Sequence, residues 1–245
     1  MKKIIIIGAS SGIGMRVATD FARLGWRVGI AARREEQLKS LKEKYPDRVE
    51  YMTIDVTAQD AVDRFYKLIE LIDGMDYLLY AAGCGWCNPD LDNAVDDQTV
   101  LVNVYGFTRI INAAYKYYKQ TASLHRGHIA AITSVAGVKG IGISATYSAS
   151  KRYQWTYLQA IDQLAHQQHV NVDITDIRPG FVDTPLLNGH SYPMEMSVNY
   201  VAPRLESAML RGKRVAVIDS RWAVVTALWR MIPDALWRRI EFVDY

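Results

Sequence analysis

Lys3-Ile4-Ile5-Ile6-Ile7-Gly8-Ala9-Ser10-Ser11-Gly12-Ile13-Gly14 is the stretch on which the fold turns. Its unbroken β-branched run reads as a strand buried on both faces, the habit of a parallel sheet. The run stops at clustered glycines, and a helix is expected to follow from about Ile13 to Leu24, closed by Gly25. Strand, glycine turn and helix in that order make a phosphate cradle. The glycines let the backbone come close, and the helix start offers free N–H groups and the positive end of its dipole. Gly8, Ser10, Ser11, Gly12, Ile13 and Gly14 are therefore the first candidate cofactor contacts, although their spacing departs from the common G-x-G-x-x-G.

Outward from this turn, strands and helices alternate. Trp26 to Ala32 reads as a second strand, Val49 to Ile54 as a third, Ala58 to Ile72 as a helix and Asp76 to Ala81 as a fourth strand. That order predicts an α/β, doubly wound three-layer fold with a mostly parallel sheet and a ligand at the carboxyl ends of its strands. The second strand ends at Arg33-Arg34, where a site selective for NAD would set a carboxylate against the ribose 2′-hydroxyl. A guanidinium suits a 2′-phosphate instead, so the expected cofactor is NADP(H), held in part by Arg33 and Arg34.

The 245 residues, half of them hydrophobic, suffice for one large core, and 1–245 is read as a single domain. A formal charge of +3 with acids and bases interspersed gives no case for nucleic acid. The opening residues imitate a signal peptide, but the apolar run is too short and leads straight into the glycine turn. No apolar stretch is long enough to span a bilayer, and a cytoplasmic enzyme is expected. The two cysteines, Cys84 and Cys87, read as small loop residues; with no second pair and no ligand spacing among the five histidines, no metal site is expected.

Further along, a helix from about Asp97 to Lys119 carries Asn103 among apolar neighbours, so this amide is either satisfied in the core or functional. The strand His128 to Thr133 delivers Ser134 at its end. In Thr146-Tyr147-Ser148-Ala149-Ser150-Lys151, the phenol and the ammonium lie one helical turn apart on one face. The cation is expected to lower the phenol pKa from its ordinary value near about 10, which makes Tyr147 an acid or base near neutrality. Its helix should run to about His166. After a strand from Val172 to Ile177 comes Arg178-Pro179-Gly180-Phe181-Val182-Asp183-Thr184, and then a substrate loop over about 185–201. Within it Leu186, Leu187, Tyr192, Met194, Met196 and Tyr200, with Trp86 opposite, read either as a pocket wall for a bulky apolar ketone or as packing within the lid. A helix from Val201 to Leu210 and a strand from Arg214 to Ile218 complete the sheet. The amphipathic segment at about 219–245 is rich in Trp and Arg, which suits packing on the protein's own body or in a dimer, peripheral membrane contact, or a lid.

Taken together, Gly8-x-x-x-Gly12-x-Gly14, Asp55-Val56, Ala81-Ala82-Gly83, Asn103, Ser134, Tyr147-x-x-x-Lys151 and Pro179-Gly180 make the chain resemble the short-chain dehydrogenase/reductase family over nearly its whole length. The resemblance implies a seven-stranded Rossmann sheet of order 3-2-1-4-5-6-7 and a tetrad of Asn103, Ser134, Tyr147 and Lys151. Tyr147 would carry the proton, Ser134 would hold the substrate oxygen, and Lys151 would hold the nicotinamide ribose. Asn103 would support a water leading from Lys151 to solvent. Asp55 and Val56 would meet the adenine, Ala82, Gly83, Pro179 and Gly180 would line the cofactor, and Val182 and Thr184 would meet the carboxamide. The activity implied is interconversion of a carbonyl and a secondary alcohol by a homodimer or homotetramer joined through the helices near Asn103 and Tyr147. The alternatives are a reductase of a lipid-linked or acyl-carrier substrate and a non-catalytic NADP-binding regulator. Two positions depart from the family pattern: Tyr80 stands where an asparagine is usual, and Ile7 where a threonine is usual.

Overall fold

The structure, a computed structural model, describes residues 1–121, 126–187, 189 and 192–242. In chain order its elements are β1 (Lys3–Ile7), α1 (Gly12–Arg23), β2 (Arg27–Ala32), α2 (Glu35–Lys44), β3 (Val49–Thr53), α3 (Ala61–Leu71), β4 (Tyr77–Tyr80), α4 (Asn93–Val100) and α5 (Phe107–Thr121). Then follow β5 (Gly127–Ile132), α6 (Ala145–Gln167), β6 (Val172–Arg178), α7 (Val198–Leu210), β7 (Val215–Val217), α8 (Ser220–Met231) and α9 (Asp234–Trp237). The strands pair in parallel as one sheet of order β3-β2-β1-β4-β5-β6-β7.

The isoleucine run sits at the middle of this sheet, with Ile4 opposite Val28 on one side and Tyr77 on the other. Successive side chains of a strand go to opposite faces, so each face needs its own apolar cover. Ile5 and Ile7 join Phe65, Leu68, Phe107 and Ile110 on the side of α3, α5 and α6. Ile4 and Ile6 join Phe21, Leu38, Leu205 and Met209 on the side of α1, α2 and α7. Each fully buried isoleucine contributes roughly 1.5–3 kcal/mol, which makes β1 the strand that holds both layers.

Several boundaries depart from the sequence reading, α3 beginning at Ala61 rather than Ala58 among them. The helix expected over Asp97 to Lys119 is three pieces: α4 begins at Asn93, capped by Asp92, whose Oδ1 accepts from the Ala94 N–H at 2.9 Å. A π-helical turn over Leu101–Gly106 then leads into α5. Tyr80, fully buried, donates its hydroxyl to the Val102 carbonyl in that turn at 3.3 Å and meets Phe107 edge-on. The unusual tyrosine thus supports the π turn from beneath. α7 begins at Val198, three residues early, because Ser197 caps it by accepting from the Tyr200 N–H at 3.2 Å.

Candidate active site

The glycine-rich turn leaves β1 at the centre of the sheet, and its packing leaves no room for side chains. Gly8 has φ +96°, and a Cβ there would stand 2.5 Å from the Ala82 nitrogen. A Cβ on Gly14 would overlap the Gly8 carbonyl, and one on Gly12 would stand 3.1 Å from Thr184 Cγ2. The turn, the end of β4 and the loop after β6 therefore meet at one crevice. Ser11 stands at the head of α1 without bonding its N–H groups through its side chain, so those donors face the crevice. Arg34 reaches back from β2: its Nη2 donates to Ser10 Oγ at 2.9 Å and to Ser11 Oγ at 2.7 Å. The Arg33 charge acts on the Cys84 thiol, biasing it downward. Asp55 Oδ1 accepts from the Thr57 N–H and hydroxyl, Val56 is buried against Gly106, and Val182 pairs with Met196. Pro179 receives the Val135 N–H at 3.0 Å, and Gly180 lies flat against the Trp222 indole.

The four residues of the expected tetrad, Asn103, Ser134, Tyr147 and Lys151, gather where this crevice passes β4 and β5. Gly85 admits the Tyr147 ring, which any Cβ there would overlap, and the Cβ position of Gly83 lies 3.4 Å from both Asn103 Oδ1 and Lys151 Nζ. Ser134 accepts from the Ala136 N–H at 3.1 Å, heading a 3-10 turn over Val135–Val138, and its hydroxyl biases the Tyr147 phenol downward. Trp155 holds it from behind by donating its indole N–H to the Ser134 carbonyl at 3.1 Å and to Thr133 Oγ1 at 3.0 Å. Asn103 locks the loop after β4: its Oδ1 accepts from the Cys84 N–H at 3.0 Å, and its Nδ2 donates to the Cys84 carbonyl at 2.6 Å and to Ser150 Oγ at 3.0 Å.

Gln154, absent from the sequence expectations, completes the group. Wholly buried, it accepts from Lys151 Nζ at 3.2 Å and donates to the Asn103 carbonyl at 2.9 Å. A protein amide therefore links Asn103 to Lys151. Its spacing was the available signal, since Tyr147, Lys151 and Gln154 share one stripe of α6 at helical intervals.

The electrostatics correct one expectation. The Tyr147 phenol is pushed up, not down: burial outweighs the hydrogen bond from Ser134, and Cys84 adds to the rise. Lys151 does not offset this because its Nζ, 5.6 Å from the Tyr147 ring centroid, bonds to Gln154 and, at 3.4 Å, to the Ile132 carbonyl. Burial instead lowers the Lys151 ammonium to about 8, against opposing pulls from Cys84 and Asp176.

The model of the short chain dehydrogenase family matches residues 2–193. The chain belongs to that family. An uncharacterized oxidoreductase of Mycobacterium tuberculosis is 29% identical over 257 residues, covering 97% of this chain and 96% of the relative. One from Myxococcus xanthus is 29% identical over 240 residues, covering 95% and 93%. Among solved structures, ElxO with NADP bound superposes with a TM-score of 0.78 at 19% identity, over 91% of this chain and 99% of that one. The 3-ketoacyl-(acyl-carrier-protein) reductase of Brucella melitensis complexed with NADH gives the same score at 20% identity, over 88% and 95%. These last two likenesses establish the Rossmann fold; the family membership makes the chain an oxidoreductase built on an NAD(P) crevice.

In this member of the family, the proposed substrate loop mostly packs on itself and on the body. Met196 is buried, Met194 and Tyr200 pack against the same core, and Tyr192 stacks on Phe181 at 4.2 Å. Leu186 alone of the named loop residues is openly exposed. Residues 188, 190 and 191 of that loop lie outside the described residues. The two sulfurs are engaged separately, Cys84 Sγ with the Gln98 carbonyl at 3.6 Å and Cys87 Sγ with Ser144 Oγ at 3.5 Å. Burial pushes the Cys84 thiol up to about 11, which makes it unreactive as a thiolate.

Proposed function

We propose that this chain is an NADPH-dependent oxidoreductase that interconverts a ketone and a secondary alcohol through Asn103, Ser134, Tyr147 and Lys151. The observation that carries this reading is the gathering of Tyr147 and Lys151 at the glycine-lined crevice: Gly85 admits the Tyr147 ring, and the buried Lys151 ammonium lies 5.6 Å from its centroid and 3.4 Å from the Cβ position of Gly83. When bound there, the nicotinamide supplies the hydride. As negative charge grows on the substrate oxygen, Ser134 and Tyr147 are the two donors that meet it, and Tyr147 surrenders its proton. A phenol held above its ordinary pKa stays protonated at neutral pH, which favours the carbonyl-reducing direction. Asn103 holds the loop after β4, and Lys151, tethered by Gln154, would hold the ribose of the bound cofactor.

The cradle fits a dinucleotide on the chain's own terms: the glycines leave space only for a close backbone approach, and Arg34 with Ser10 and Ser11 forms a cationic, hydroxyl-lined pocket suited to a 2′-phosphate. Leu186 and Trp86 support a bulky apolar ketone. The chain is read as one domain, with a substrate loop at about 185–201 and a tail at about 219–245, acting in the cytoplasm. Val100, Leu101 and Tyr105, exposed along the helix pair near Asn103, favour assembly as a homodimer or homotetramer through that face.

Fluorescence titration with NADPH and NADH alongside a ketone panel tests the reading. Tyr147→Phe should keep cofactor affinity and lose turnover by about 10²–10⁴-fold, the range of general acid catalysis. Retained turnover would remove Tyr147 from its role. Arg34→Ala should weaken NADPH by roughly 10–100-fold and NADH far less, since charge-assisted bonds to a phosphate contribute about 1.5–3 kcal/mol. Equal weakening of both would argue against the phosphate contact.

One observation favours a second reading. Val224, Leu228 and Met231 are exposed at helical spacing along α8, with Arg221 and Arg230 on the same helix. That pattern supports peripheral contact with an anionic bilayer and a lipid-linked substrate.

A further inference from the structure

On the side of α6 facing away from Tyr147 and Lys151 lies a cavity of about 950 Å³, closed by the loop Gly137–Gly142, the outer face of α6 and the tail beyond α8. Its volume is that of a small-molecule site. Its chemistry is one-sided. Lys139, Arg152, Arg178, Arg230 and Arg238 line it, and no aspartate or glutamate does among the described residues. Three of these guanidinium groups surround a single indole: the central carbons of Arg178, Arg152 and Arg230 lie 3.6, 5.6 and 5.9 Å from the Trp155 ring centroid.

Two of the five cations are neutralised within the protein. Arg178 pairs with the buried Asp176 at 2.6 Å, and Lys139 with Asp234 at 2.5 Å. Arg152, Arg230 and Arg238 have no carboxylate within ion-pair distance among the described residues. Among the described residues Arg152 donates only to the Gly137 carbonyl, at 3.4 Å. Like charges gathered on one wall repel, and the repulsion registers on Arg178, whose guanidinium is pushed down first by burial and then by Arg230 and Arg152. An anion entering between Arg152 and Arg230 would reverse the sign of those interactions, and guanidinium forks match carboxylate and phosphate oxygens in pairs. The remaining wall is apolar and aromatic, with Trp237, Ile240 and Phe242 beside the cations.

We propose that this cavity is a second binding site, distinct from the cofactor crevice, for a small organic anion: a phosphate or carboxylate seated on Arg152 and Arg230, carried on a planar apolar body that packs against Trp155 and Trp237. It is independent of the reading of Tyr147, because none of Asn103, Ser134, Tyr147 and Lys151 lines it.

The test is isothermal titration of the full chain with phenyl phosphate, benzoate, benzyl alcohol and inorganic phosphate. Phenyl phosphate should bind saturably and at least ten-fold more tightly than benzyl alcohol or inorganic phosphate, because only it satisfies both walls. Arg152→Gln and Arg230→Gln should each weaken it ten-fold or more with an unchanged thermal melt, while Arg34→Ala, in the cofactor crevice, should leave it unaltered. Loss of binding in Arg34→Ala, or retention in the Arg152→Gln/Arg230→Gln double variant, would assign the ligand elsewhere and overturn the proposal. Failure of all four compounds to saturate would overturn it as well.

Discussion

At the scale of the residue, the most consequential group is Lys151, because its ammonium is buried and shares its hydrogen bonds with Gln154 and a backbone carbonyl. Between its folded value of about 8 and the ordinary 10.5, the unfolded chain holds a proton that the native chain has lost. Native stability therefore rises with pH across that window. Lys151→Met has nothing to titrate there, so its stability advantage over the unsubstituted protein should narrow by about 2 kcal/mol between about pH 7.5 and 9.5 in urea titrations. An advantage that stays constant would mean that the ammonium is better solvated than its surroundings indicate. That Tyr147 and Lys151 share one face of a helix was legible from their spacing, but the direction of the phenol's shift was not, since it depends on how deep the ring lies and on where Nζ finds its acceptors. Arg34 and Arg33 were indistinguishable in sequence. Only the path of the chain past Ser10 and Ser11 shows that Arg34 is the one whose guanidinium bonds to their hydroxyls.

At the scale of the element, the π turn over Leu101–Gly106 decides where Asn103 stands. Such turns widen a helix by one residue and are common at functional sites. This one is held by the Tyr80 hydroxyl below and by Val56 alongside, with Gly106 leaving the gap that Val56 fills: a Cβ there would lie 2.6 Å from Val56 Cγ2 and 2.9 Å from Val56 O. Gly106→Ala should cost about 1–3 kcal/mol of stability by overpacking and, by displacing Val56, weaken NADPH and NADH equally. An unaltered melting temperature would show that the contact is slack. The strands were readable because β-branched runs bounded by glycine and charge leave few alternatives. The π turn was not, because its residues carry no local signal, and its cause is a tyrosine twenty-odd positions upstream and a valine on another loop.

At the scale of the whole molecule, the tail is the part whose composition left most open, since tryptophan and arginine suit a bilayer, a partner or the protein's own surface. The structure divides the labour by face. Trp222, Trp229 and Trp237 turn inward as a line of edge-on rings, with Trp237 donating to the Gly140 carbonyl at 2.7 Å, while Val224, Leu228 and Met231 turn outward. If the outward face meets membranes, the protein should float with anionic vesicles and the Leu228→Asp/Met231→Asp double variant should not; sedimentation of both with the free protein would end that reading. Residues 243–245 of the tail lie outside the described residues. The inward face carries a further consequence, because the Trp222 indole lies directly against Gly180, behind the cofactor crevice. The segment is thus a buttress as well as a possible anchor: a chain cut at Arg221 would lose the masonry behind its nucleotide groove along with any tether, and only point changes on the outer face can tell the two apart.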